Sequence, residues 1–581
     1  MVKTKDIVIT MIGSGGDGVI SAGEILLSAA AKEGLFGMLL KSFGPQIRGG
    51  ESSAKLRISN ERLYTQGDFV DVLVVFNWAD FGRFKTEYDM ADGAYIISDS
   101  ADKLDPMLQP LPWKEKNLKN IVLPITAMTK EKTGGTRGKN IFSLGILAGM
   151  FDLPSEGLKE AIKTKFKKKS QMIIDANIAS LEAGIDYVKA EKSDADLKFE
   201  FTKGVQKMVI HGNDAMSMAA LKQGLDVYAS YPITPASEML QFLNIHLPKF
   251  GGSVIQAEDE IAAINAAIGA SFSGKKAMTG TSGPGVALKS EAIGLASMAE
   301  IPLVIVNVMR GGPSTGLPTK FEQSDLFQAL YGTHGDAVKA VIAPTDVADT
   351  FVTGNLAFQI AEKYQMPVLL LTDQFLSARM ESTTPFDLHQ FKVVNRATPE
   401  NNEEGYLRYK NTETGVSPMS AVGQPGVIYQ TSGLEHFESG RPTSELDLHQ
   451  SMSEQRELKL KYLAEEFDYI RHKEGKSKVG VITWGSSSGA VREAVDLLAK
   501  DGIDYSFIIP QLISPLPKHK IQPLLDTFDK LVVVELSFSG QFHKYLKSEL
   551  NLPKEVVTYK RAGGKPLNVS EIYNVLKKEY I

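Results

Sequence analysis

The chain has 581 residues, with 64 basic against 69 acidic side chains and a net charge of −5, a balance that excludes a dominant electrostatic partner such as bulk nucleic acid. It contains no cysteine, which excludes disulfides, thiolate metal sites, a cysteine nucleophile and a cysteine-ligated iron–sulfur cluster on this polypeptide. At about 150 residues per domain the length predicts three or four domains, and 43% hydrophobic with 23% charged residues describes a soluble globular protein.

The start, MVKTKDIVITMIGSGG, passes from a short polar stretch into a strand pattern without a signal-peptide core. No apolar run approaches the ~20 residues of a spanning helix. With the missing cysteine these features lead us to expect a cytoplasmic protein that does not enter a membrane. The first block, to about residue 190, alternates strands and helices: DIVITMI, a glycine loop, the helix VISAGEILLSAAAKEG, then LRIS and VDVLVVFN. Its last predicted helix carries Leu158, Ile162 and Phe166 on one face, with Pro154 and Ser155 at its start. No interleaved aromatic platform accompanies the lysines at 163, 165, 167, 168 and 169, so they read as a solvated face rather than a nucleic-acid patch.

A charged linker, KAEKSDADLKFEFTKG, leads to a second block in which DVYASYPI, SVIQ, KAMTGTS, IPLVIVNVM, AVKAVIA and MPVLLLTD alternate with helical segments. That regularity predicts a mostly parallel sheet with helices on both faces. Residues from about 395 to 475 are polar, rich in Gly and Pro and without clear period, so they predict an extended segment lying over a neighbour. A third alternating block starts near 476 with KVGVITWGS. Asn568 and Glu571 have the spacing of a capping box for the final helix.

Several loops could carry chemistry. GSGGDG places Gly13, Gly15 and Gly18 between a strand and a helix, suited either to a phosphate or to a tight turn. A dinucleotide site also wants an acid at the end of the second strand, and GMLLKSFG ends in Lys41 and Ser42. The GDG inside this loop has no following asparagine before Asn60, so it is not a magnesium–diphosphate motif. In SFGPQIRGGES, Arg48 between glycines suits an anion or a surface turn. In VIQAEDEIAAINAAIGAS, the acids Glu258, Asp259 and Glu260 open a helix of small apolar residues. As dipole complements they contribute only about 0.3–1 kcal/mol, but a carboxylate on so closely packing a helix is open to desolvation. TGTSGPG is another strand-to-helix loop, MRGGPSTGLPT sets Arg310 at a strand end where ligands of open α/β sheets bind, and YPITP holds Thr234 between prolines.

YPITPASEM, QAEDEIAAINAAIGAS, TGTSGPG and RGGPSTGLPT, in this order, resemble the alpha subunit of 2-oxoacid:ferredoxin oxidoreductases, closest to the 2-oxoglutarate type with an N-terminal gamma domain. GxGGxG and SFGPxxRGGES are similar to that gamma domain, although the family often has Gln at the position of Asp17. TWGS and GQ at Gly540–Gln541 are similar to the transketolase C-terminal-like domain, although ELSFSGQ lacks the asparagines common there. The resemblance implies three α/β modules, a gamma domain at 1–192, a thiamine diphosphate pyrimidine-binding-like domain at 205–395 and a transketolase C-terminal-like domain at 476–581, the last two joined by an extended connecting segment at 396–475. It implies an enzyme that oxidatively decarboxylates 2-oxoglutarate with coenzyme A to succinyl-CoA and carbon dioxide and passes electrons to ferredoxin.

By the same resemblance Glu260 contacts the aminopyrimidine ring of thiamine diphosphate, with Glu258 one turn position away as the competing register. Arg310 and Thr234 face the 2-oxoacid, Thr319 is a third candidate, and Arg48 is a candidate for coenzyme A or subunit contact. A partner beta subunit would bind the pyrophosphate and magnesium and carry the iron–sulfur cluster, in an expected α2β2 assembly. The alternatives are a relative acting on pyruvate, branched-chain 2-oxoacids or indolepyruvate, an NAD-dependent dehydrogenase built on the first block, and a non-catalytic scaffold subunit.

Overall fold

In the computed structural model, which describes residues 2–43, 50–104, 111–113, 115–133, 135, 138–191, 195–467 and 469–580, the run DIVITMI forms β1 (Asp6–Ser14), buried along its whole interior. It is followed by α1 (Val19–Lys32), β2 (Phe36–Phe43), β3 (Glu51–Ser59), β4 (Phe69–Val75), β5 (Asp89–Asp99) and β6 (Lys119–Leu123). These strands stand in the order β6-β5-β4-β1-β3-β2 and are extended by Met380–Thr383 and Met208–His211 into an eight-stranded sheet. The sheet is mixed: β1 runs parallel to β4 but antiparallel to β3, and β2 runs antiparallel to β3. The strand after α1 is therefore not the parallel neighbour of β1, as a dinucleotide-binding unit requires, and this removes the geometric basis of the dehydrogenase alternative.

The predicted helix is α2 (Ser155–Phe166), with Leu158 and Ile162 buried. Lys163 pairs with Glu160 and Lys165 with Glu24, as a solvated face does. One compact unit comprises Met1–Ile210 and Arg379–Phe386, the other His211–Ala378 and Asp387–Ile581. The return of Met380–Thr383 to the first sheet departs from the expectation that 205–395 is one continuous block. In sequence this strand is only MEST, four residues with a single apolar side chain, too short for a period to show.

In the second unit β7 (Val227–Ser230), β8 (Ser253–Gln256), β9 (Ala277–Thr281), β10 (Leu303–Met309), β11 (Ala340–Ile342) and β12 (Pro367–Asp373) are all parallel, in the order β8-β7-β9-β10-β12-β11. Leu512–Ser514 adds an antiparallel edge. Every residue of β10 and β12 is buried, which explains their largely aliphatic sequences, interrupted only by Asn307 in β10 and by Thr372 and Asp373 at the end of β12. Each large side chain there contributes about 1.5–3 kcal/mol. The chain order reverses at β7, so the crevice beyond the carboxyl ends of β7, β9 and β10 is where such a sheet offers a site.

The third block forms a five-stranded sheet from β13 (Ile470–Lys473), β14 (Val479–Thr483), β15 (Ser506–Pro510), β16 (Lys530–Glu535) and β17 (Glu555–Lys560), in the order β13-β15-β14-β16-β17. Its final helix opens on the expected capping box of Asn568 and Glu571. The stretch between is irregular to residue 445 but tied down by buried charges. Arg396 pairs with Glu362 at 2.6 Å and donates to the Ser271 carbonyl, and Arg408 donates to the Glu300 carbonyl. Sequence reading missed the helix Leu446–Glu466 that ends it. Its buried side chains are Met452, Arg456, Lys459 and Leu463, so charges occupy half of the inward face and conceal the helical period. Among the described residues no helix is long and apolar enough to cross a membrane.

Candidate functional site

The site is built where three strands of the parallel sheet end. After β8, Asp259 adopts an extended conformation and its Oδ1 accepts the Ala262 N–H at 2.7 Å, capping α3 (Glu260–Phe272). That cap fixes which of the three acids turns inward: Glu260 is buried at 6% exposure, whereas Glu258 and Asp259 are exposed. After β9, Ser282 occupies the N-cap position of α4 (Gly283–Met298) without a side-chain capping bond. A Cβ on Gly285 in its first turn would stand 1.9 Å from Thr281 Oγ1 and 2.9 Å from Glu260 Cγ, so glycine is what allows the Glu260 side chain to lie against this turn.

The Thr279, Thr281 and Ser282 hydroxyl oxygens beneath are buried without a hydrogen-bond partner, a polar layer that a bound molecule or water can satisfy. Gly285→Ala is expected to destabilise the chain by about 1–3 kcal/mol through overpacking and to displace Glu260. Chemical denaturation of the purified chain measures the first effect, and an unchanged midpoint would contradict the close packing.

From α4, Lys289 reaches back and donates from Nζ to the Glu260 carbonyl oxygen at 2.8 Å. It is fully buried; desolvation lowers its pKa to about 8, opposed by the nearby charges of Glu260 and Asp259. The residue following β10 is Arg310, 7% exposed, whose Nη1 donates to the Thr234 carbonyl oxygen at 2.7 Å. Burial lowers the Arg310 pKa, while Asp325 and Glu260 favour its charged form. Thr234 meets Arg310 through its backbone, and its side chain is exposed. The loop beyond Arg310 is closed by the Gly311 N–H donating to the Lys320 carbonyl at 2.9 Å. Thr319 is exposed near that closure and does not line the cavity described next.

Arg310 borders a cavity of about 780 Å3 whose wall includes Gly283, Asp325, Gln328, Ser537 and Phe538. Asp325 precedes α5 (Leu326–Tyr331). Its Oδ2 accepts from Asn307 Nδ2 at 3.1 Å, and burial raises its pKa to about 6. Gln541 joins the third block to this wall, donating to the Ser324 carbonyl and accepting the Phe327 N–H. Asp325 and Lys289 escaped sequence reading because neither stands in a recognisable motif of its helix or turn. The available signal was a lysine amid the small apolar residues of GPGVALKSEAIG and an aspartate immediately before an apolar helix start.

The glycine loop of the first unit reads differently. The Asp17 carboxylate accepts the Ser14 N–H at 2.8 Å and pairs with Lys139 at 3.5 Å, so an anion already occupies the turn that would cradle a phosphate. Arg48 lies outside the described residues.

Profiles of three related families match in succession: "Pyruvate ferredoxin/flavodoxin oxidoreductase" at residues 8–187, "Pyruvate flavodoxin/ferredoxin oxidoreductase, thiamine diP-bdg" at 218–455, and "Pyruvate:ferredoxin oxidoreductase core domain II" at 477–572. The chain is 29% identical to 2-oxoacid:ferredoxin oxidoreductase 2, subunit alpha, of Aeropyrum pernix, over 99% of this chain and 97% of that one. It is 33% identical to the 2-oxoglutarate oxidoreductase subunit KorA of Mycobacterium tuberculosis, over 96% and 89%. Among solved structures it is similar to the 2-oxoglutarate:ferredoxin oxidoreductase of Magnetococcus marinus, determined with 2-oxoglutarate, coenzyme A and succinyl-CoA bound. That match has a TM-score of 0.93 and 35% identity and covers 100% of both chains.

Proposed function

This chain belongs to the 2-oxoacid:ferredoxin oxidoreductase family as an alpha subunit, and from that premise we propose that it oxidatively decarboxylates 2-oxoglutarate with coenzyme A, yielding succinyl-CoA and carbon dioxide and delivering electrons to ferredoxin. The observation that carries the reading is the placement of a buried carboxylate, Glu260 after β8, within electrostatic reach of a buried guanidinium, Arg310 after β10, which borders one large cavity. The choice of 2-oxoglutarate is supported by the names of the KorA relative and of the solved relative.

The residues present fit the pyrimidine side of thiamine diphosphate: a buried carboxylate can accept a hydrogen bond from a ring nitrogen, and the unpartnered hydroxyls of Thr281 and Ser282 lie nearby. When bound, that cofactor supplies a carbon nucleophile for attack on the keto carbon. Glu260 then acts as the group that holds or moves a proton at the aminopyrimidine. Arg310 binds the carboxylate of the acid through its planar fork, and its bond to the Thr234 carbonyl fixes the guanidinium orientation. Thr234 and Thr319 contribute hydroxyls only if their exposed loops fold inward around substrate. The diphosphate, magnesium and iron–sulfur cluster are assigned to a beta subunit, in an α2β2 complex of the cytoplasm, with Arg48 retained as a coenzyme A contact.

The test is to purify the tagged chain from its native host, record the co-purifying masses and visible spectrum, and assay dye reduction with coenzyme A and a panel of 2-oxoacids. We expect a cysteine-bearing partner, iron–sulfur absorption, and a kcat/KM for 2-oxoglutarate more than about tenfold above that for pyruvate, the discrimination one buried charge contact provides. Faster turnover of pyruvate or a branched-chain acid would reassign the substrate. A colourless solitary chain from a gentle preparation would overturn the split-site reading.

A further inference from the structure

Asp325 lines this cavity together with Glu322, and the reaction outlined above uses neither carboxyl. Asp325 is half-buried, with one side open to the space that Arg310 borders. Its other side is packed tightly: a Cβ on Gly283 would stand 2.6 Å from Oδ2 and 3.0 Å from Oδ1, and Asn307 Nδ2 donates to Oδ2 at 3.1 Å. The carboxyl therefore cannot swing away when a second anion enters. Two influences oppose each other at this point. The first turn of α4 favours an anion, whereas burial and the charge of Glu322 disfavour one, and burial prevails. The charged groups acting on Asp325 are Glu322 in its own segment and Arg310 at the end of β10; Glu260 acts in turn on Arg310. The elements facing it present Gly283 from α4, Gln328 from α5, and Ser537 and Gln541 from the third block, none of which is charged.

We propose that Asp325 is a proton-linked positioning residue of the 2-oxoacid site, taking up one solvent proton as the substrate anion docks on Arg310, so that the charge of the carboxylate held by Arg310 is offset on binding. The inference rests on the assignment of Arg310 to the substrate carboxylate. Its physical basis is that two anions sharing one cation at low dielectric raise each other's proton affinity, and the anion with a fixed position and a carboxyl pKa already raised to about 6 is the one that yields.

The sign follows from linkage. A group whose pKa rises on binding makes affinity greatest below its free pKa, and affinity falls as pH climbs toward the bound pKa. The experiment uses the intact enzyme complex and glutarate, an unreactive dicarboxylate that lacks the keto group. Isothermal titration at pH about 7, in buffers of different ionisation enthalpy, should show close to one proton taken up per glutarate bound. Between about pH 6.5 and about pH 8.5, where glutarate is fully ionised, its Kd should rise by up to tenfold per unit. Asp325→Asn should abolish both the uptake and the slope while retaining binding.

Persistence of the uptake in Asp325→Asn would overturn the inference and leave the Arg310 assignment intact. Unchanged glutarate binding in Arg310→Ala would overturn both. If Asp325→Asn does not assemble, the wild-type complex still decides: absence of proton uptake at pH about 7 refutes the linkage.

Discussion

Glu260→Gln, assembled with its partner chain, is expected to lose two to four orders of magnitude in kcat, about the contribution of one positioned proton-transfer group, with little change in KM. The amide is nearly isosteric, so the packing against Gly285 and the cap made by Asp259 persist. Lys289, which bonds the Glu260 backbone carbonyl rather than its side chain, keeps its partner. What disappears is the ability to accept or release a proton at that position. The parallel substitution Glu258→Gln, at an exposed site, should leave turnover within about twofold, as surface changes usually do. Steady-state dye reduction, with assembly verified by size-exclusion chromatography, separates the two. Wild-type turnover in Glu260→Gln together with loss in Glu258→Gln would shift the role by half a turn of helix.

Arg310→Ala is expected to lower kcat/KM for the 2-oxoacid by about 10²–10³-fold, since a charge-assisted contact contributes about 1.5–3 kcal/mol and a bidentate pair somewhat more. Part of the loss comes through Thr234, whose carbonyl oxygen gives up its donor. Arg310→Lys should recover only part of the loss, because an ammonium supplies a point charge in place of a planar fork. The check is initial-rate kinetics over a wide range of 2-oxoacid concentration. An unchanged KM with full kcat in Arg310→Ala would remove this residue from the site altogether.

What could be read from sequence divides along physical lines. The parallel sheet of the second unit was legible because its central strands β10 and β12 are short, largely aliphatic runs that begin at or beside a proline, and burial on both faces forces that pattern. The place of Arg310 at a strand end was legible because arginine is rare in that block and stands immediately after such a run. The choice between Glu258 and Glu260 needed the Asp259 cap, a matter of backbone geometry that three consecutive acids do not reveal. Asp325 was illegible for a related reason: its interest lies in Gly283 and Asn307, 42 and 18 residues away in the chain and adjacent only after folding. The buried charges of the connecting segment misled in the opposite direction, because Arg396, Arg408, Arg456 and Lys459 read as solvent-facing until their partners are known.

The strand Met380–Thr383 ties the first sheet to the timetable of synthesis. Ser382 Oγ accepts the Gly37 N–H at 2.7 Å and donates to the Leu35 carbonyl at 2.9 Å, sealing the margin beside β2. A ribosome emits the first 210 residues well before this strand. At about 5–20 residues per second, the intervening stretch takes on the order of 10–30 s to emerge. Throughout that interval the nascent sheet carries an open edge of unpaired N–H and carbonyl groups, a template for wrong pairing. Chaperone demand during translation should therefore peak before residue 380 leaves the exit tunnel and fall once the margin is closed.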